Sequence, residues 1–259
     1  MTGRIFDMEL RALRRDRAAR LGPELFLHDR VFEDCLDRLG IVKRSFRSAL
    51  LVGCPDRSWA ERLSAVCPHV DVVDPGALFA KRSGGKLVVE DSWSPEPGTY
   101  DLCVAIGTLD TVNDLPRALL TLRFALAPDG LLIGALAGGE TLPKLRGAMR
   151  AADDAMNVAS PHVHPRVEPA AFAGLLGAAG FAMPVVDVDR VRVTYPNILK
   201  LVHDLRRMAA SNILDQRSRT PLNRAALAAA SAAFAEAGDG NATEESFEII
   251  HFSGWAPAG

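Results

Sequence analysis

Residues 49–59 read Ala49-Leu50-Leu51-Val52-Gly53-Cys54-Pro55-Asp56-Arg57-Ser58-Trp59. An unbroken apolar run enters a turn at Gly53 and leaves it as a helix. This strand–turn–helix is the first unit of a doubly wound α/β sheet, and its turn is where such a sheet meets a nucleotide-like cofactor. The turn departs from the usual glycine-rich form. It carries one glycine where three are usual. Pro55 has no backbone N–H to offer. Arg57 brings a long side chain to a place where bare backbone normally approaches an anion.

The pattern on either side agrees with α/β. Upstream, Phe6, Leu10, Leu13 and Ala18 share one stripe of a helix over 5–20, with arginines opposite. A second helix spans 25–39, with Gly40 as its C-cap. Downstream, strands at 48–52, 70–73, 86–89, 100–106 and 131–136 alternate with helices at 59–66 and 115–126. The strands lack a polar face, as expected when helices cover both sides of a parallel sheet. Helices follow at 141–156 and 169–179. A strand over 184–195 (Val186, Val188, Val191, Val193), helices at 197–208 and 224–237, and a last strand at 246–255 complete the chain. The domain expectation is a single unit over 1–259: N-terminal helices in 1–46, a cofactor-side core in 47–138, substrate-side helices and strand in 139–196, a helical insertion in 197–240 and a terminal strand in 241–259.

The composition narrows the function. The chain has 259 residues, a net charge of −2, 48% hydrophobic and 6% aromatic residues. A near-neutral, aromatic-poor chain is a poor nucleic-acid binder. No apolar run reaches the roughly 20 residues that span a bilayer. Arg11, Arg14, Arg15, Arg17 and Arg20 crowd the N-terminus, but Asp7, Glu9 and Asp16 are interleaved, which is unlike a transit peptide. Their expected role is a solvated helix face. Cys35, Cys54, Cys67 and Cys103 form no Cys-x-x-Cys pair, so reduced thiols in a cytoplasmic protein are expected, with no metal.

Further motifs carry a resemblance. Tyr100-Asp101-Leu102-Cys103-Val104, the stretch from Leu109 to Pro116, and Leu126-Ala127-Pro128-Asp129-Gly130-Leu131-Leu132-Ile133-Gly134 resemble the fourth and fifth strand regions of class I S-adenosylmethionine (SAM)-dependent methyltransferases. Ile5-Phe6-Asp7, Gly138-Gly139-Glu140-Thr141-Leu142, Ser160-Pro161-His162-Val163, Val193-Thr194-Tyr195-Pro196, Asp204-Leu205-Arg206 and Ala210-Ser211-Asn212 follow the order of one subfamily. It is the mitochondrial complex I assembly factor 5 type with its bacterial homologues; the malonyl-acyl-carrier-protein O-methyltransferases of biotin synthesis are more distant. The resemblance implies a Rossmann-like α/β sheet of about seven strands with the last antiparallel, N-terminal helices, and a helical insertion before the last strand. It implies SAM as cofactor and, as partner, an iron–sulfur subunit of respiratory complex I or another protein substrate. The mitochondrial relative is regarded as hydroxylating an arginine.

Carried over residue by residue, the resemblance implies a cofactor loop at Gly53 and Cys54. The family's acid at the end of the first strand is here Leu51, and its second and third glycines are Pro55 and Arg57. SAM binding is therefore expected to be weak or lost. Asp74, about 20 residues after Gly53, is either the ribose acid or a turn aspartate before Pro75-Gly76. Glu90 and Asp91 are either the adenine-side acids or a solvated loop pair. Gly107, Thr108 and Leu109 line the cleft end of the fourth strand. Asp110 and Thr111 stand where relatives commonly carry His-Trp. The catalytic candidates are Tyr195 and His162; His162 and His164 otherwise read as loop histidines. Arg206 and Arg207 are candidates to meet an acidic partner. Three functions stay open: a SAM-using enzyme, a non-catalytic assembly protein, and a site retuned through Arg57 to another anion.

Overall fold

The apolar run at Leu50 forms β1 (Ser48–Val52), an inner strand of the sheet. The computed structural model describes residues 4–258; residues 1–3 and 259 of the first and last expected segments lie outside the described residues. The other strands are β2 (His69–Asp74), β3 (Lys86–Leu87), β4 (Tyr100–Ile106), β5 (Leu126–Ala137), β6 (Ala182–Tyr195) and β7 (Thr243–Trp255). They form one sheet in the order β3-β2-β1-β4-β5-β7-β6. The first five run parallel, and β7 runs antiparallel to both β5 and β6. The expected sheet of seven strands with an antiparallel last strand is what the chain forms.

Successive residues of a strand face opposite sides of a sheet. Leu50 and Val52 join Cys103, Ala105, Leu132 and Phe252 in one core. Ala49 and Leu51 join Leu102, Val104, Ile133 and Trp59 in another. Two cores, one per face, are why these strands have no polar side. The first core is closed by α5 (Leu115–Ala125) and α7 (Pro169–Ala178), through Leu119, Leu122, Phe172 and Leu176. The second is closed by α2 (Phe26–Ile41) and α3 (Arg57–Leu63). There Phe32 stacks on Trp59 with ring centroids 4.6 Å apart, and Trp59 Nε1 donates to Asp29 at 2.8 Å.

The remaining helices are α1 (Met8–Leu21), α4 (Ala77–Ser83), α6 (Pro143–Met156), α8 (Ile198–Arg207) and α9 (Arg224–Glu236). α6, α8 and α9 share a third core through Leu145, Leu201 and Phe234. Among the described residues no helix is long and apolar enough to cross a membrane.

Several local expectations are corrected. Gly40 is not the C-cap of α2; the helix runs on to Ile41 and closes with the Val42 N–H on the Leu39 carbonyl, which needs no left-handed residue. α3 starts at Arg57, earlier than expected, because the Asp56 carboxylate caps it by accepting from the Ser58 N–H. α4 carries too short and charged a run to announce itself; left-handed Gly84 ends it. β6 is an edge strand. Val186 packs on the α7 side and Val191 on the other, because an odd spacing puts them on opposite faces, and Val188 stays exposed.

Candidate functional site

At the end of β1 the chain closes on itself. Gly53 has φ of 82°, and its N–H donates to the Val73 carbonyl at 2.9 Å. A Cβ there would stand 2.5 Å from Thr108 Cγ2 and 2.8 Å from the Ile106 carbonyl oxygen. The glycine is needed for the close approach of this turn to β4 of its own chain. Cys54 is fully buried, its N–H donates to Asp74 Oδ2 at 2.9 Å, and burial pushes its thiol up to about 12. Arg57 turns out to solvent and bonds Glu61 one helical turn on, at 2.8 Å.

Asp74 is the hub of this end of the sheet. Its side chain is 0% exposed. Oδ1 accepts from Arg15 Nε at 2.8 Å and from the Gly76 N–H at 2.7 Å. Oδ2 accepts from Arg15 Nη2 at 2.5 Å and from the Cys54 N–H at 2.9 Å. A carboxylate offers about four lone-pair positions, and all are used. The turn reading of Asp74 matches the Gly76 contact, and the ribose reading finds no acceptor left.

The adenine-side acids are engaged as well. Glu90 is buried and pairs with Arg11, whose Nη2 also donates to the Thr108 carbonyl at 3.1 Å. Asp91 accepts from the Asn113 N–H at 3.1 Å and Nδ2 at 2.6 Å, and the Asn113 side-chain oxygen in turn holds the N–H groups of Ile5 and Phe6. Neither acid is a solvated loop residue. The expected solvated face of α1 is corrected on two of its members: Arg11 and Arg15 are 3% and 7% exposed. They lie four residues apart on one helical face, and burial is tolerated because each guanidinium meets a carboxylate.

At the end of β4, Gly107 has φ of 61°, and a Cβ there would lie 3.2 Å from the His28 ring. Thr108 is fully buried, and Leu109 begins a short 3-10 turn that packs into the core. Gly107 alone of these three lines a cavity of interest. That cavity, about 130 Å³, lies at the ends of β4 and β5 under α2 and the segment after α8.

The two catalytic candidates stand outside it. Tyr195 is 2% exposed among Leu27, Leu142 and Ile198, and its hydroxyl has no partner; it lies neither in water nor in the cavity. His162 pairs with Asp153 at 2.7 Å on α6. His164 is the histidine that reaches the cavity. Its Nε2 accepts from the Ile213 N–H at 3.1 Å, which requires that nitrogen to be bare. Burial, with the nearby Arg166 charge, lowers its pKa to about 4. Burial, with Arg15, does the same to His28. Asp110 pairs with Arg166 at the cavity wall. Burial would raise its carboxyl, but the neighbouring cations, Arg166 foremost, hold it below its ordinary value. Arg207, a candidate for an outside acid, pairs with Glu24 at 3.2 Å. Among the described residues no group of three or more His, Cys, Asp or Glu stands close enough to hold a metal.

The residues missed by sequence reasoning are therefore Arg11, Arg15, His28 and Arg166. Their four-residue spacing on α1 was the one available signal for the first two. In this arrangement Pro55 has no N–H to offer, and the acids expected for ribose and adenine are held by the chain's own arginines.

Comparison with known proteins gives the lineage. Residues 20–185 match a family model described as a methyltransferase domain. The chain is 31% identical to "Arginine-hydroxylase NDUFAF5, mitochondrial" of Danio rerio, over 98% of this chain and 83% of that protein. The human protein of the same name is 31% identical over 97% of this chain and 76% of its own length. A malonyl-[acyl-carrier protein] O-methyltransferase of Xylella fastidiosa is 35% identical over 58% of this chain and 49% of its own. Among solved structures, the YcgJ protein of Bacillus subtilis superposes with a TM-score of 0.60 at 8% identity, over 88% of this chain and 99% of that one, which is a likeness of fold. The chain belongs to the methyltransferase-domain family and, within it, to the group of the NDUFAF5 arginine hydroxylases.

Proposed function

We propose that this chain works in the assembly of respiratory complex I by engaging a protein partner, and that it does so without SAM as methyl donor. The observation that carries this reading is the Asp74 carboxylate, whose four hydrogen bonds all run to the chain itself. A ribose could claim that acid only by displacing Arg15 from a fully buried ion pair. Breaking such a pair costs about 3–5 kcal/mol. A ligand's hydroxyls gain roughly that much at best through charge-assisted hydrogen bonds, so little net affinity remains. The partner is an iron–sulfur subunit of the complex or another of its proteins. Four free, buried cysteines support a reducing compartment, the cytoplasm.

A second reading is an enzyme of the hydroxylase or methyltransferase kind, favoured by 31% identity to arginine hydroxylases along nearly the whole chain. The two are separated by calorimetric titration of SAM, paired with capture of purified complex I iron–sulfur subunits on the immobilised chain. Capture without SAM heat is the expected result. A low-micromolar Kd for SAM overturns the first reading, and so does failure to retain any complex I subunit.

A further inference from the structure

α1 has a second face. Arg11 and Arg15 turn inward to acids, while Arg17 and Arg20 stay exposed and Leu13 is 62% exposed. Positions 13, 17 and 20 recur at the spacing that puts them on one side of a helix. α1 packs beside α8. Arg207 ties the ends of the two helices, donating from Nε to the Gly22 carbonyl at 2.7 Å. A bridge between Phe6 and Leu214 brings the segment after α8 to the start of α1, where Arg217 meets Asp7 at 3.3 Å. The three elements thus gather Arg14, Arg17, Arg206 and Arg217. Burial, and after it the charges of Arg17, Arg217 and Arg206, hold the Arg14 guanidinium below its ordinary pKa.

This charge is not balanced from within. Among the described residues, Arg14, Arg17, Arg20 and Arg206 form no ion pair. Most acids of the same elements are engaged: Asp7 with Arg217 and Arg4, Glu24 with Arg207, Asp204 with Lys200, and Asp16 with the Leu78 N–H. That leaves Glu9 and Asp215, two acids against four arginines. Arg20 and Arg206 stand in the last turns of their helices, where a cation complements the helix dipole. Arg14 and Arg17 have no such role.

Like charges gathered on one face are relieved by an anion. The guanidinium fork matches a carboxylate through two parallel N–H groups. Leu13, and Leu21 at 50% exposure, add apolar surface that a partner's side chain can cover. A nucleic acid or an anionic bilayer is drawn by the field of the whole protein, which here carries a net charge of −2. A short acidic segment meets the patch alone.

We propose that the outer face of α1, together with Arg206, docks a glutamate- or aspartate-rich segment of a partner protein. Its carboxylates meet Arg14, Arg17 and Arg206, and an apolar side chain among them covers Leu13. Docking there rests on the reading that the chain engages a protein partner, and it makes that partner acidic at the contact.

The test is fluorescence anisotropy on the full chain with a labelled peptide of glutamates interspersed with leucines, and with its glutamine counterpart. The glutamate peptide is expected to bind saturably, about tenfold tighter or more than the glutamine one, and to weaken severalfold as salt is raised from about 50 to about 200 mM. Arg17→Glu with Arg206→Glu, both at exposed positions, should weaken it about tenfold or more. Arg17→Glu alone should weaken it in the same direction, which keeps the test decisive if the double variant fails to fold. Arg47→Glu, 89% exposed at the other end of the sheet, should leave the affinity within about twofold. Equal binding of the two peptides overturns the proposal, as does an unchanged affinity in the folded double variant. Vesicles of phosphatidylserine in phosphatidylcholine that bind the chain tightly through the same arginines, with no peptide bound, overturn it in favour of a lipid surface. Peptide binding by a chain that retains no complex I subunit supports the patch and counts only against the identity of the partner.

Discussion

Replacing Arg15 by alanine removes two of the four hydrogen bonds on Asp74, the 2.8 Å bond from Nε and the 2.5 Å bond from Nη2. It leaves a carboxylate of 0% exposure with only the Cys54 and Gly76 N–H groups. Hydrogen bonds to a charged group contribute about 1.5–3 kcal/mol each, and removing one partner of a buried pair costs about 3–5 kcal/mol. Arg15 also lies over the Phe79 ring, 5.1 Å from its centroid, which adds up to about 1 kcal/mol. The expected loss is about 4 kcal/mol. For a chain of this size each kcal/mol moves Tm by about 2–4 °C, so Arg15→Ala should melt about 8–16 °C lower. The double variant with Asp74→Asn should recover part of the loss, because no charge is then left buried. Urea unfolding of the two single variants and the double variant gives the coupling energy. The single variant also frees Asp74 to accept ligand hydroxyls, so calorimetry should detect SAM more readily than in the parent. A loss under about 1 kcal/mol for Arg15→Ala, or a double variant no more stable than the single one, refutes the argument that this pair closes the site.

Three further outcomes follow from the same geometry. Restoring glycine at Pro55 and Arg57 together should leave SAM binding undetected by calorimetry while Arg15 is present, because Arg57 already points to solvent and Asp74 is the filled position; recovered affinity would show that the loop, not the arginine, is the obstacle. Gly53→Ala should destabilise by about 2–4 kcal/mol in a denaturant titration, since φ of 82° is strained for alanine and its Cβ would meet Thr108 and the Ile106 carbonyl at under 3 Å; a neutral effect would mean that the close approach to β4 is absent. His28 and His164 have folded pKa values of about 4, below the ordinary histidine value. The unfolded chain therefore binds more protons below about pH 6.5, and stability falls as pH drops from there toward 4. Between pH 7 and 5.5 each should remove about 1 kcal/mol, read as a lower urea midpoint; an unchanged midpoint would put both rings in contact with water.

The fold was legible because it rests on signals of short range. Apolar runs such as 48–52 and the order of strands and helices are local properties, and right-handed crossovers leave few ways to assemble them. Asp74 was legible as an important acid, and its two readings differed in one thing that no local pattern contains: what lies opposite it. Arg15 is 59 positions away, on a helix whose arginines alternate with acids and read as a wetted face.

Burial of an arginine depends on the partner that the fold delivers to it, so the same residue type reads alike at Arg17, which is exposed, and at Arg15, which is 7% exposed. The same reasoning separates His162 from His164. Two positions apart in one loop, they face an α6 carboxylate and the cavity at the ends of β4 and β5 respectively. Leu51 sits in the core with 0% exposure and Arg57 lies on the surface, so neither obstructs a ligand directly. What stands where ribose and adenine would be recognised is the pair of α1 guanidinium groups. Arg11 and Arg15 thereby tie the chemistry of this end of the sheet to α1.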